Sequence, residues 1–304
     1  MKPVPIRYRR CRKKDLLPAV RLILKSMNHL REKTGKAPFR RRATRVPTLF
    51  THLLATDPKL FYCAWRGETI VGFAGALQRG KQWYLAWLFV HPRFQDRGIG
   101  RGLIEKVWVD RPGMVHSLAT MSYNQQAVGL YSSFGMVPES LMTLMTAELD
   151  RLYAPTPHGF EVIEKPTQRD LAWIRRFEGE VRGFPRAKEW AYWGSSELFQ
   201  PLVMRHRGRP VGYGLVNKMG ELGPAAGTTH RNLVATVGEM VRWCSEHREQ
   251  MKADRIMLAC PHQNDELYSY LLSMGFRNSE MLVFMSERPY ADHRRYLPAS
   301  LALF

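Results

Sequence analysis

The sequence predicts an α/β protein with a mixed sheet, laid out twice in tandem. Three observations predict it. The apolar run from Trp83 to Val90 is followed by a glycine-containing turn and then by a helically periodic stretch from Leu103 to Val109. Strand-length runs interleave with helix-length ones, an order that covers both faces of a sheet with helices. Three landmarks recur 140 residues on: Val71-Gly72-Phe73 as Val211-Gly212-Tyr213, Asn124 as Asn264, and Gly135-Met136 as Gly275-Phe276.

Taken in order, alternation predicts a first strand at 4–10, and 3.6-residue periodicity predicts helices at about 15–34 and 47–56. Apolar runs bounded by turn residues predict strands at 60–65, 69–78 and 82–90. A helix at 98–109 opens on glycine; a strand at 115–120 follows. The helix at 124–134 begins at Asn124, a capping residue, and ends at Gly135, before a strand at 137–149. The second copy is read as a strand at 160–165, helices within 168–193, and strands near 200–206, 209–217 and 220–225. A helix at 231–250, a strand at 255–260, a helix at 263–273 and a strand at 276–286 complete it.

A chain of 304 residues exceeds what one core ordinarily fills. The expected organisation is a first domain at 1–152, a Pro- and Gly-rich linker at 153–160 and a second domain at 160–304. Cys11, Cys63, Cys244 and Cys260 are isolated and show no metal-ligand spacing, so neither a metal site nor a disulfide framework is expected. The longest apolar run is too short to span a membrane, and no signal-peptide core follows the basic N-terminus. A cytoplasmic protein with no membrane partner is the expectation.

The net charge of +19 divides as +15 for residues 1–150 and +4 for the rest. The basic half also holds the segment Gln95-Asp96-Arg97-Gly98-Ile99-Gly100-Arg101. Glycines permit a tight turn, and the N–H groups that open a helix have no internal acceptors, so they suit a pyrophosphate. A phosphorylated cofactor is therefore expected. Clusters such as Arg9-Arg10-Cys11-Arg12-Lys13-Lys14 admit a nucleic-acid partner as an alternative, but no nucleic-acid-binding motif accompanies them.

The Val90-His91-Pro92 lead-in, the Gln-x-x-Gly-x-Gly turn and the helix running from Asn124 through Tyr131 to Gly135 resemble the acetyl-CoA motifs of the GNAT N-acetyltransferase superfamily, over roughly residues 4–150. The resemblance implies two tandem GNAT folds and acetyl transfer from acetyl-CoA (coenzyme A) to a primary amine of a small molecule or peptide. It implies cofactor contacts at Leu88, Phe89, Val90, Gln95 to Arg101 and Asn124, with the Leu88–Val90 strand splayed from its neighbour. It also implies that Tyr131 is the general acid for the departing thiolate. Packing for Tyr131 and capping for Asn124 are the plainer readings of those residues.

Many members of the superfamily carry a carboxylate base on the strand before the turn, at or near Ala86 here, yet Trp83 to Val90 contains none. His91 and His116 are the remaining candidates. The family's acceptor site usually borders the segment that is Lys33 to Val46 here; Lys36, Arg40, Arg41, Arg42 and Arg45 favour an acceptor bearing carboxylate or phosphate. Trp83 and Trp87 are expected on one face of their strand. The second copy lacks a Gly-x-Gly turn and has Leu271 where the first has Tyr131, so it is expected to be degenerate. A non-catalytic acyl-CoA sensor, or an acyl group longer than acetyl, is a further alternative.

Overall fold

The computed structural model describes residues 5–40, 42–153 and 159–304. Contacts divide the chain into two compact units, 1–118 with 123–134, and 119–122 with 135–304.

The first unit begins with β1 (Ile6–Arg10), which pairs antiparallel with β2 (Phe61–Arg66). Between them lie α1 (Leu16–Lys33) and α2 (Thr48–Thr56). Leu16, Ala19, Val20, Leu22 and Ile23 make the buried stripe of α1. Next come β3 (Thr69–Arg79) and β4 (Gln82–Val90), antiparallel to each other, then α3 (Ile99–Val107), β5 (Val115–Met121) and α4 (Gln125–Ser132). The helix α3 buries Ile99, Leu103, Ile104 and Val107, and it approaches β3 so closely that a Cβ on Gly72 would stand 2.9 Å from Leu103. A side chain there would force Leu103 and Ile99 to move.

β4 and β5 run parallel, but their pairing extends only from Gln82↔Val115 to Leu85↔Leu118. Residues 119–122 belong to the second unit, where this end of β5 neighbours β12 (Arg277–Ser286). The amide of Ser122 donates to the carbonyl of Met281 at 3.0 Å.

The second unit contains β6 (Val137–Glu148), β7 (Glu161–Ile163), α5 (Gln168–Arg182), α6 (Ala187–Gly194), β8 (Phe199–His206), β9 (Arg209–Asn217) and β10 (Glu221–Gly227). These are followed by α7 (His230–Glu246), β11 (Arg255–Pro261), α8 (Asp265–Ser273), β12 and β13 (Tyr296–Leu297). Its core packs Met145, Leu202, Val216, Leu233, Val237, Met240, Ile256, Leu258 and Phe276.

The starts of β3, β5, α4 and β6 recur at β9, β11, α8 and β12, each 140 residues on, the offset of the sequence landmarks. The terminal strands of the two repeats are exchanged. β6, from the first repeat, pairs antiparallel with both β11 and β12 of the second, whereas β12 neighbours β5 of the first. That exchange puts the contact division at 134/135, ahead of the sequence-predicted boundary at 152. The core of the predicted linker, residues 154–158, lies outside the described residues.

Candidate active site

The site is built where β4 gives way to α3. Gly98 has φ 73°, the left-handed conformation that glycine adopts without strain, and it occupies the N-cap of α3. It supplies no side-chain cap, so no capping side chain claims the first-turn N–H groups of Ile99, Gly100 and Arg101. Asp96 is also left-handed, at φ 61°, and its carboxylate accepts the side-chain amide of Gln126 on α4. Its side chain therefore fastens the turn to α4. Gln95 donates from Nε2 to the carbonyl of Val90 at 3.2 Å, closing the turn back on β4.

A Cβ on Gly100 would lie 3.2 Å from Leu130, 3.9 Å from Val90 and 4.0 Å from Leu88. The structure thus brings together the end of β4, the turn and α4, as the motif spacing requires. Ile99 is 2% exposed and its side chain belongs to the core, which leaves only its main chain facing the turn. Arg101 donates to Ser133 Oγ at 2.7 Å and lies over the ring of Phe134. Arg97 lies over Phe94 at 5.4 Å, and Arg66, which sequence reasoning missed, lies over the same ring at 5.2 Å. Neither guanidinium has an acidic partner among the described residues. The end of β2 meets the turn only in three dimensions, so no local signal marks Arg66.

Past Leu85, β4 pairs only with β3, through Gly72↔Val90, and its other edge is unpaired among the described residues. The amide of His91 donates to the carbonyl of Val71, which sets the phase of the antiparallel ladder. Phe89 accordingly turns its main-chain groups toward Phe73, and those of Leu88 and Val90 face the free edge. The Val90 carbonyl is occupied by Ser26 Oγ (3.0 Å) and Gln95, so the outward donors are the N–H groups of Leu88 and Val90.

A β-bulge at Ala86, between Gly75↔Trp87 and Ala76↔Leu85, overturns the expected common face of Trp83 and Trp87. The extra residue reverses the alternation. Trp83 donates to the carbonyl of Val107 and packs on Trp108 and His116, whereas Trp87 stacks on Phe50 at 3.9 Å.

Tyr131 is 6% exposed, and burial pushes its phenol well above the ordinary tyrosine range. Its hydroxyl has no hydrogen-bond partner among the described residues, and the phenol keeps its proton. Asn124 accepts the amide of Ala127 at 3.3 Å and caps α4.

The histidines are otherwise engaged. His116 donates from Nε2 to the carbonyl of Val109 at 2.8 Å, is 3% exposed, and stacks on Trp108, beside the paired end of β4. His91 accepts the Arg93 amide on Nδ1; burial, then Lys25 and Arg93, lower its pKa. The segment after α1 is folded back by Asn28, which bonds both main-chain groups of Phe39, and by Arg31, which donates to the carbonyl of Ala37 at 2.7 Å. Lys36 lies 4.4 Å over the Tyr123 ring, while Arg40, Arg42 and Arg45 are exposed; Arg41 lies outside the described residues. All four cysteines are buried and free, no metal-ligand cluster occurs among the described residues, and none of their helices is long and apolar enough to cross a membrane.

Residues 24–136, the segment that holds β4, the turn and α4, match the model of the acetyltransferase (GNAT) family. An N-alpha-acetyltransferase RimI of Mycobacterium tuberculosis is 32% identical over 93 residues, which are 29% of this chain and 59% of that protein. The chain therefore spans about three fifths of that relative's length. Among solved structures, a protein of Pyrococcus horikoshii described as an acetyltransferase superposes with a TM-score of 0.75 at 18% identity, over 98% of this chain and 96% of that one. A tandem GNAT protein from the clavulanic acid biosynthesis pathway superposes with a TM-score of 0.61 at 15% identity, over 94% and 99% of the two chains. These structural likenesses concern the fold and extend over both repeats, while residues 24–136 carry the sequence similarity to the acetyltransferase (GNAT) family.

Proposed function

We propose that the protein is an N-acetyltransferase that moves an acetyl group from acetyl-CoA to an amine, with the reaction in the first repeat, residues 1–152. The observation that carries this reading is the unpaired outer edge of β4 at 86–90, which runs directly into an uncapped helix N-terminus at Gly98. In the proposed complex the first-turn amides of α3 hold the pyrophosphate. The N–H groups of Leu88 and Val90 pair with the pantetheine arm and polarise the thioester carbonyl. Arg66 and Arg97 on Phe94 supply charge for the remaining phosphate, and Tyr131 protonates the thiolate as it leaves.

The absence of a carboxylate from β4 narrows the acceptor. Deprotonating a lysine-like amine at pH 7 costs about 4.6 kcal/mol, whereas an α-amine, with a pKa near 7.7–8.0, costs only about 1 kcal/mol. An α-amine needs far less help from a base, and this agrees with the RimI relative's name. Arg40, Arg42 and Arg45 suit an acceptor with a carboxylate close to that amine, such as a short acidic peptide. The buried, free cysteines fit a reducing compartment, the cytoplasm. Free-thiol release from acetyl-CoA across a panel of peptides, amino acids and polyamines tests this reading. Turnover with peptide α-amines and little with polyamines is the expected result. No calorimetric heat with coenzyme A, or heat that survives Gly98→Val, overturns it.

A further inference from the structure

Six of the eight residues from Arg7 to Lys14 are basic: Arg7, Arg9, Arg10, Arg12, Lys13 and Lys14. All six are exposed, and none has an acidic partner among the described residues. The acid within reach along the chain, Asp15, is buried and accepts the Arg12 amide at 2.9 Å. Glu105 acts on Tyr8, which alternates with Arg7 and Arg9 and so faces the other side of the strand. Among the described residues β1 is an edge strand that pairs only with β2, and exposed Lys59 lies on the short turn packed beside it. One or two charges suffice to keep an edge strand from aggregating. Six crowded like charges exceed that need, and a polyanion that neutralises them releases condensed counterions.

We propose that the β1 edge and the turn after it form a docking surface for single-stranded RNA. Arg7 and Arg9 share one face of β1 about 7 Å apart, a spacing that tracks successive phosphates of an extended polynucleotide, and Arg12, Lys13 and Lys14 continue the charge along the following turn. Arg9 lies 6.0 Å over the Trp65 ring, and Arg10, on the opposite face of the strand, donates from Nε to the Tyr62 hydroxyl at 3.4 Å. Such Arg-aromatic pairs stack on bases of any sequence. The free N–H and C=O groups along β1 match the ribose 2′-hydroxyl, which both donates and accepts. A lipid surface fits less well, because the exposed large apolar side chains among the described residues, Val137, Leu141, Tyr153, Met219, Leu272 and Met281, all lie outside this edge.

Fluorescence anisotropy of the full chain with a labelled single-stranded RNA of about 12 nucleotides tests the proposal. Affinity is expected to fall roughly 10²- to 10³-fold between about 50 and 200 mM salt, the slope for some six phosphate contacts. The combined variant Arg9→Gln, Arg10→Gln, Lys13→Gln, Lys14→Gln is expected to bind at least about tenfold more weakly with a shallower salt slope. Its heat of coenzyme A binding, which checks that the first unit is folded, is expected to match the native chain. Unchanged RNA affinity in that variant overturns the proposal. Equal affinity for duplex DNA, or displacement of the RNA by polyglutamate or by vesicles of phosphatidylserine at equal charge, overturns it as well.

Discussion

The two repeats share an element order and differ in what lies against one strand edge. In the first, the outer edge of β4 beyond Leu85 is unpaired; in the second, the corresponding edge of β10 is taken by β13, through Ala225↔Leu297 and Ala226↔Tyr296. The chain's own tail thus sits where the first repeat leaves room for an extended ligand. The turns differ in the same sense. Eight residues, 91–98, separate β4 from α3, but only Thr228 and Thr229 separate β10 from α7. Thr229 caps α7 by accepting the Asn232 amide at 3.1 Å, and the main chain of Asn232 and Leu233 fills the space beside Gly227. A fold can therefore lose a ligand site by self-occupation while its architecture stays intact.

The largest expected effect separates the repeats by chemistry. Tyr131→Phe removes the proposed proton donor while leaving the ring's packing, so kcat is expected to fall about 10²- to 10⁴-fold with acetyl-CoA affinity unchanged. The mirror change, Leu271→Tyr, puts a phenol into a fully buried site whose strand slot is filled. It is expected to add no activity, measured as thiol release in the Tyr131→Phe background. Turnover restored by Leu271→Tyr would mean that the second slot opens.

Next comes the charge network that holds the tail. Glu178 accepts Nε and Nη2 of Arg186, the Tyr213 hydroxyl at 3.0 Å and the Trp190 indole at 2.5 Å, and Arg186 also donates to the Tyr296 hydroxyl on β13. Arg182 donates from Nε and Nη2 to the main-chain oxygen of Phe304 at 2.8 and 2.6 Å. Arg186→Met leaves a buried carboxylate without its cation and is expected to cost about 3–5 kcal/mol in denaturant unfolding. The double change with Glu178→Gln is expected to recover much of that loss, since no charge is then stranded.

How much of this contrast was legible in the sequence depends on whether the cause was local. The turn at Gln95 to Gly100 and the 140-residue offset were legible, because a strand-to-helix turn is written in adjacent residues and a duplication preserves spacing. The bulge at Ala86 was not. Every residue from Trp83 to Val90 is apolar or small, so adding one leaves no break in the pattern, yet it sends Trp83 and Trp87 to opposite faces. The exchange of β6 and β12 was also illegible, since two strands descended from one ancestor carry the same pairing preferences. β13 is two residues long and owes its place to Asn264 and the buried arginines, which no window around Tyr296 reveals.

A pH experiment probes the same tail from another residue. His293 is fully buried, neither ring nitrogen has a hydrogen-bond partner among the described residues although Glu139 Oε1 stands 3.9 Å from Nε2, and burial, opposed by Asp292, holds its pKa down at about 4. The unfolded chain protonates this histidine near pH 6.5, so it binds the proton more tightly than the folded chain does. The folded state therefore loses stability as pH falls from about 6.5 to about 4, by about 3 kcal/mol in total. Glu139, whose carboxyl is raised by burial, acts in the opposite direction and is retained in the test. Urea midpoints at pH 7 and pH 4.5 are expected to differ less in His293→Leu than in the native chain. An equal difference in both would place the acid-sensitive group elsewhere.

The smallest expected effect compares the two equivalent asparagines. Asn124 and Asn264 each cap a helix, α4 through Ala127 and α8 through Leu267 at 2.9 Å. Asn264 does more: its Nδ2 donates to the carbonyl of Arg294 at 2.8 Å and of His230 at 3.4 Å, and it is 2% exposed. Alanine at 124 should cost about 1 kcal/mol, the worth of a cap. Alanine at 264 should cost roughly 2–3 kcal/mol, because it also removes the two further hydrogen bonds that the buried Asn264 Nδ2 makes to the part-buried carbonyls of Arg294 and His230 at the base of the tail. Ligand binding separates the two further. If the first repeat uses Asn124 on coenzyme A, Asn124→Ala weakens that binding in calorimetry, and Asn264→Ala leaves it as it was. Equal destabilisation by the two variants, with coenzyme A affinity untouched by either, would make both residues simple caps and remove Asn264 from the account of how the second slot is kept closed.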